Sequence, residues 1–340
     1  MWRYVSISLL PLSGLFLSKN IKAWRFTIFM LILSGFVGPK IILSGALESY
    51  DITRYLDSYS FLFNSNATSF TDVVVLDFVN RKQAIELVPA LLTWVGLRIG
   101  LDATGFYYLL ALYFSFALGS LLFYSKERFG WVFCLSILFL IPYYGINGYR
   151  FWGGLALLIS GVISEKKYYL ILGMFTHMFF FPIALFLLVI RMSKKIQIGV
   201  VTIFLMVVLI NLTEITDYLN KFLISNIGDY YTEIQTKSGG KYLRYFQFLI
   251  LMHLLIWALP AMFYSRYKML VILTGIMSLF LWNVPALGRT MYLLIPFVLL
   301  DSRLNTTNAF HIPLFLSSII SFMITSYVMR EAVDIPLFFI

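Results

Sequence analysis

Arg150, His177 and Arg289 lie inside or beside otherwise apolar stretches of this chain. A bare ion in hydrocarbon costs about 2.5–3.5 kcal/mol on insertion scales, so ionisable residues there are candidates for function. An arginine guanidinium stays charged and grips phosphate oxygens through paired hydrogen bonds. A neutral imidazole can hold a proton or pass it on. These residue types therefore fit a polar site that binds an anion. Each also has a plain competing reading: a lone Arg snorkels to lipid headgroups, and a lone His bonds between helices. Arg150 and Arg289 stand out because they sit at Gly-containing turns between apolar segments, Arg150 among Gly148, Gly153 and Gly154, and Arg289 after Gly288.

A second constellation lies upstream. Asp51, Tyr55 and Tyr59 recur every four residues, with Arg54 beside them. A helix would place the three on one face. Acids that bond hydroxyls and tyrosines that stack on rings are what a sugar site uses. An interfacial aromatic belt is the competing explanation, and it applies equally to Tyr149. Glu86 opens the next apolar segment, as a helix N-terminal carboxylate or as a general base.

The elements that must position these residues are membrane helices. Of 340 residues, 60% are hydrophobic and 12% charged, against roughly 25% charged in a soluble domain. Apolar runs recur from near residue 5 to near residue 328, so the expected fold is all-α, a polytopic transmembrane bundle in one integral membrane domain over residues 1–340. The single cysteine, Cys134, excludes an intrachain disulfide, and no Cys/His cluster has metal-ligand spacing. No nucleotide-binding glycine loop or serine nucleophile motif appears. No metal and no cofactor are expected.

The net charge of +10 is a membrane signal and not a nucleic-acid one. Half of the 26 basic residues lie in short connectors: Lys19, Lys22, Arg25, Lys126, Arg128, Lys166, Lys167, Arg191, Lys194, Lys195, Arg266, Lys268 and Arg303. The acids among them are Glu127, Glu165 and Asp301, so these connectors carry the whole excess. The positive-inside rule assigns them to the cytoplasm. Arg54, Arg81, Arg150, Arg244 and Arg289 then fall outside. About ten to twelve spans follow, with outer loops near 48–84 and 214–243. Two segments break the simple alternation. Residues 86–100 read as a short re-entrant or interfacial outer helix before an inward crossing at 105–124. Residues 168–190 have basic flanks on both sides. They read as a hairpin of two short segments turning near His177 and Pro182, with one long tilted span as the alternative.

The order of these motifs resembles the EpsG-like branch of bacterial polysaccharide polymerases, related in role to the Wzy O-antigen polymerases. The residues that carry the resemblance are Asp51, Tyr55 and Tyr59, then Glu86, Tyr149-Arg150 before Gly153, Gly154 and Ala156, then His177, and Arg289 with Tyr292. They span roughly residues 48–300. The resemblance implies a multi-pass protein of the bacterial inner (cytoplasmic) membrane. It implies a glycosyltransferase that joins oligosaccharide repeat units carried on undecaprenyl pyrophosphate, at the periplasmic or outer face. In that reading Arg150 and Arg289 stabilise the leaving pyrophosphate. His177, Glu86 or Asp51 activates the acceptor hydroxyl. Arg54, Tyr55, Tyr59, Tyr149, Arg244 and Tyr292 bind substrate. Partners would be the lipid-linked oligosaccharide, the bilayer and a chain-length regulator protein. The alternatives are a flippase or transporter for a lipid-linked oligosaccharide, and a membrane O-acyltransferase in which His177 is catalytic.

Overall fold

The computed structural model describes residues 51–65, 69–81, 86–130, 149–177, 180–190 and 311–321, with isolated positions elsewhere. Among the described residues every regular element is helical and no strand occurs. The helices are α1 (Asp51–Asn64), α2 (Phe70–Arg81), α3 (Leu87–Arg98), α4 (Ala103–Phe129), α5 (Tyr149–Ser164), α6 (Lys167–Thr176), α7 (Phe181–Val189) and α8 (His311–Ser321). They divide into two compact units. The first holds the described residues up to Ala184 and from Ser318 onward, and the second those from Leu185 to Ser317.

Local chemistry sets most of these boundaries. The segment expected as an irregular loop at 48–84 carries two helices. Tyr55, Tyr59 and Leu62 repeat at helical spacing and are the buried face of α1. Ser69 and Asp72 form a reciprocal capping box at the start of α2. The Asp72 backbone N–H donates to Ser69 Oγ (2.9 Å), and the Ser69 N–H donates to the Asp72 carboxylate (3.1 Å). α3 ends in a left-handed Gly100 (φ 68°). The Gly100 N–H donates to Leu97 O and the Leu101 N–H to Gly96 O, the bond pair that closes a helix on glycine. Asp102 then accepts from the Gly105 N–H (2.7 Å) and starts α4.

α4 contains the one described segment long and apolar enough to cross a membrane, Ala103–Ser125. α3, α5 and α8 are shorter apolar helices. α5 is the centre of the first unit: Tyr149 and residues 151–163 are all buried, as expected of a helix that is apolar all round. It packs chiefly on α4 and α6. Its contact with α6 is close enough that glycines are required. A Cβ on Gly173 would come within 3.0 Å of Gly154 O, and one on Gly161 within 2.6 Å of the Leu170 side chain. Gly153 and Gly154, expected at an outer turn, lie inside α5; Gly154 faces Gly173 of α6 and Phe180, while Gly153 faces Tyr113 and Phe114 of α4.

The stretch 168–190 is broken as expected. α6 stops at Thr176, His177 is extended (φ −146°, ψ 127°), and α7 begins at Phe181. The short helix read at 86–100 and the longer one over 105–124 are α3 and α4.

Candidate functional site

Three segments far apart in sequence meet at one buried polar cluster in the first unit. Arg150 sits in the first turn of α5. Its Nη1 donates to Glu86 Oε2 at 2.7 Å, and its Nε donates to the Tyr55 hydroxyl at 2.9 Å. Its guanidinium carbon lies 4.5 Å from the Tyr55 ring centre. The side chains of Arg150 and Glu86 are only 11% and 6% exposed. Burying this pair is tolerable because each charge has the other, and removing one partner would strand the survivor.

The sequence allows Glu86 to be either a helix N-terminal carboxylate or a general base. It occupies the residue before α3 yet makes no side-chain cap to that helix. Its carboxylate turns instead to Arg150 and His177. His177 Nδ1 lies 3.6 Å from Glu86 Oε1, just beyond hydrogen-bond length and within ion-pair reach when the ring is protonated. With Nδ1 toward Glu86, Nε2 lies on the opposite side of the imidazole. The His177 side chain is 27% exposed, so the cluster opens at its imidazole end. Phe151 and Phe180 border that ring, 6.0 and 5.8 Å between centres.

Tyrosines wall the other side. Tyr55 meets Tyr149 edge-on at 5.3 Å, and Tyr149 meets Tyr113 edge-on at 6.3 Å. Tyr55 and Tyr149 are 6% and 1% exposed, so neither offers a ring face for sugar stacking. Their contacts position Arg150. Tyr59 is placed elsewhere. It stacks on Phe106 (3.9 Å between centres) and donates to Leu101 O at 2.7 Å, which ties α1 to the α3–α4 turn.

Asp51 is the first residue of α1 and Arg54 lies in its first turn; their side chains lie outside the described set. Arg244 and Arg289 lie outside the described residues. Tyr292 belongs to the second unit, where its ring meets the fully buried His253 at 5.6 Å. Sequence reasoning missed His253, Tyr113 and Thr176. Tyr113 is one of 22 tyrosines, and no spacing pattern sets it apart. Among the described residues no three His, Cys, Asp or Glu side chains gather as a metal site. No family model, no curated protein and no solved structure matches the chain.

Proposed function

We propose that the Glu86–Arg150–His177 cluster is the active site of a multi-pass bacterial inner-membrane glycosyltransferase. In this reading it joins oligosaccharide repeat units carried on undecaprenyl pyrophosphate, at the outer face. The observation that carries the reading is the convergence of a buried Arg–Glu pair, 64 residues apart in the chain, with a partly open imidazole. That convergence is costly to build and gives proton-transfer chemistry. The motif order shared with EpsG-like polymerases supplies the substrate class.

The reading assigns roles by geometry. His177 Nε2 takes the proton of the acceptor sugar hydroxyl. The hydroxyl oxygen forms the new bond to the donor's anomeric carbon. The bond from that carbon to the pyrophosphate oxygen breaks, and the pyrophosphate leaves with the electron pair. Glu86 holds the imidazole ring and stabilises the imidazolium. Arg150, already compensated by Glu86, holds that carboxylate ionised and in place; this replaces the direct pyrophosphate contact expected from the sequence. Before the step the three residues carry no net charge. After it they carry one positive charge, as negative charge appears on the leaving group. Arg289, read from the sequence as a second cation for the pyrophosphate, and Arg244, read as substrate-binding, lie outside the described residues.

Exposed apolar stripes support the membrane setting. Ile312, Leu316 and Ile320 are exposed at four-residue intervals on α8, and Leu87 and Leu91 on α3. Water disfavours such stripes, and lipid accepts them. α6 and α7, of ten and nine residues, rise about 15 and 14 Å, each about half the hydrocarbon thickness.

The test is a polymerisation assay in detergent. Purified protein receives an undecaprenyl-pyrophosphate-linked repeat unit from its own host, with chelator and without nucleotide sugar. A glycan ladder is expected. A folded protein that makes none from authentic substrate refutes the polymerase reading and directs attention to translocation of labelled substrate in liposomes.

A further inference from the structure

We infer that the Tyr113 hydroxyl is a positioning group for His177, acting through Thr176; its catalytic consequence rests on the function proposed above. Thr176 is the last residue of α6 and is fully buried. His177 follows directly, at the point where the chain leaves the helix and turns extended. Thr176 Oγ1 donates to Leu172 O at 2.6 Å, and it also bonds the Tyr113 hydroxyl across 63 residues of chain. A threonine hydroxyl has one proton. That proton goes to Leu172 O, so Tyr113 must be the donor to Thr176. The bond is thereby directional, and both hydroxyls are used.

Tyr113 stands in the membrane-length part of α4, the longest described helix. Its ring edge also meets Tyr149, whose own ring meets Tyr55, the acceptor of Arg150 Nε. One residue of α4 thus references both halves of the cluster: Arg150 through two ring contacts, and the His177 hinge through a hydrogen bond. The last turn of a helix has carbonyls without intrahelical partners and frays readily. A bond from a neighbouring helix at that turn fixes where the next residue starts. Here that residue carries the imidazole, which must stay at its distance from Glu86.

The experiment uses full-length protein and three substitutions. Tyr113→Phe removes the donor and keeps the ring against Tyr149. Thr176→Val removes the acceptor and keeps the shape. Thr176→Ser keeps the hydroxyl and serves as rescue. The readout that needs no substrate is carbethoxylation by diethyl pyrocarbonate, followed by peptide mass spectrometry. The chain has three histidines. His253 and His311 are 0% and 8% exposed and serve as internal controls for folding. Tyr113→Phe and Thr176→Val are each expected to raise His177 labelling severalfold, with His253 and His311 still protected. Thr176→Ser should match the parent. In the polymerisation assay the first two should lower kcat by about tenfold to a hundredfold with KM little changed.

Unchanged His177 labelling in both Tyr113→Phe and Thr176→Val overturns the inference. So does a Thr176→Ser protein that behaves like Thr176→Val, because the hydroxyl would then not be the cause. Altered labelling in a chain whose parent makes no ladder upholds the positioning role and refutes the polymerase reading.

Discussion

Arg150 was conspicuous in the sequence because an arginine among apolar residues demands a partner. The partner, Glu86, was also singled out, but nothing in a linear chain says that two residues 64 apart share a hydrogen bond. The pairing makes a quantitative prediction. Arg150→Met should cost about 3–5 kcal/mol of stability by taking the paired cation from the buried Glu86 carboxylate, and Glu86→Leu should cost a similar amount. The double variant should cost less than either single one, as thermal unfolding in detergent would show. Simple additivity would contradict a mutually compensating pair. Tyr59 makes a second prediction. Burial, and then the charge of Asp102, pushes its phenol up to about 12, so the folded state holds the proton more tightly than the unfolded one. Its contribution to stability is intact below about pH 10 and is lost as the pH rises toward 12. Tyr59→Phe should flatten that alkaline limb, while losing about 1 kcal/mol at neutral pH with the bond to Leu101 O. Unfolding followed between about pH 9 and 12 checks both signs. The four-residue repeat of Asp51, Tyr55 and Tyr59 put the tyrosines on one face only if the segment was helical, which the loop reading of 48–84 did not expect; Tyr55 and Tyr59 do lie on the buried face of α1. The repeat could not reveal that Tyr55 meets the Arg150 cluster while Tyr59 meets the α3–α4 turn, because the two residues are a full turn apart on a helix packed by different neighbours.

At the scale of elements, α5 and α6 are held together by what their glycines lack. A methyl at Gly173 would press on backbone atoms, Gly154 O at 3.0 Å and Leu158 N at 3.2 Å, which cannot swing aside. Gly173→Ala should therefore destabilise by about 1–3 kcal/mol. At Gly153 the nearest atom is 3.4 Å away on the Tyr113 side chain, an ordinary contact. Gly153→Ala should be neutral, or stabilising by up to about 1 kcal/mol through backbone entropy. Equal effects of the two on thermal unfolding would contradict the packing described. Gly153 and Gly154 were visible in the sequence, and their proximity to Arg150 invited a reading as turn residues. The distinction depends on which face of α5 meets α6, and that is a tertiary fact. The break at His177 was easier to read. Basic clusters on both flanks of 168–190 required two short segments or a broken rule, and the chain breaks there. The helices within 48–84 were missed because their apolar residues are diluted by Ser, Asn, Asp and Thr. Their capping pair Ser69–Asp72 was legible in principle.

For the whole molecule, the charge pattern and the described helices make one topological prediction. The α3–α4 turn lies outside and the α5–α6 turn inside, with α4 between. In a Cys134→Ser background, Ile99→Cys should react with a membrane-impermeant maleimide added outside intact cells. Lys167→Cys should react only after permeabilisation. Both positions are exposed, so burial would not mask either result, and the reversed pattern would invert the proposed active-site side. The helical class was legible in the recurring apolar runs, which lack the ten-residue alternation that barrel strands need. The site's location rests on that orientation, and its chemistry rests on His177. The most direct measurement is ladder formation from an undecaprenyl-pyrophosphate-linked repeat unit by His177→Asn beside the parent protein, both shown to be folded. Asn keeps a polar side chain at the hinge and cannot take the proton, so kcat should fall by about a hundredfold or more while the substrate still binds. A His177→Asn protein that polymerises at the parental rate would contradict the account.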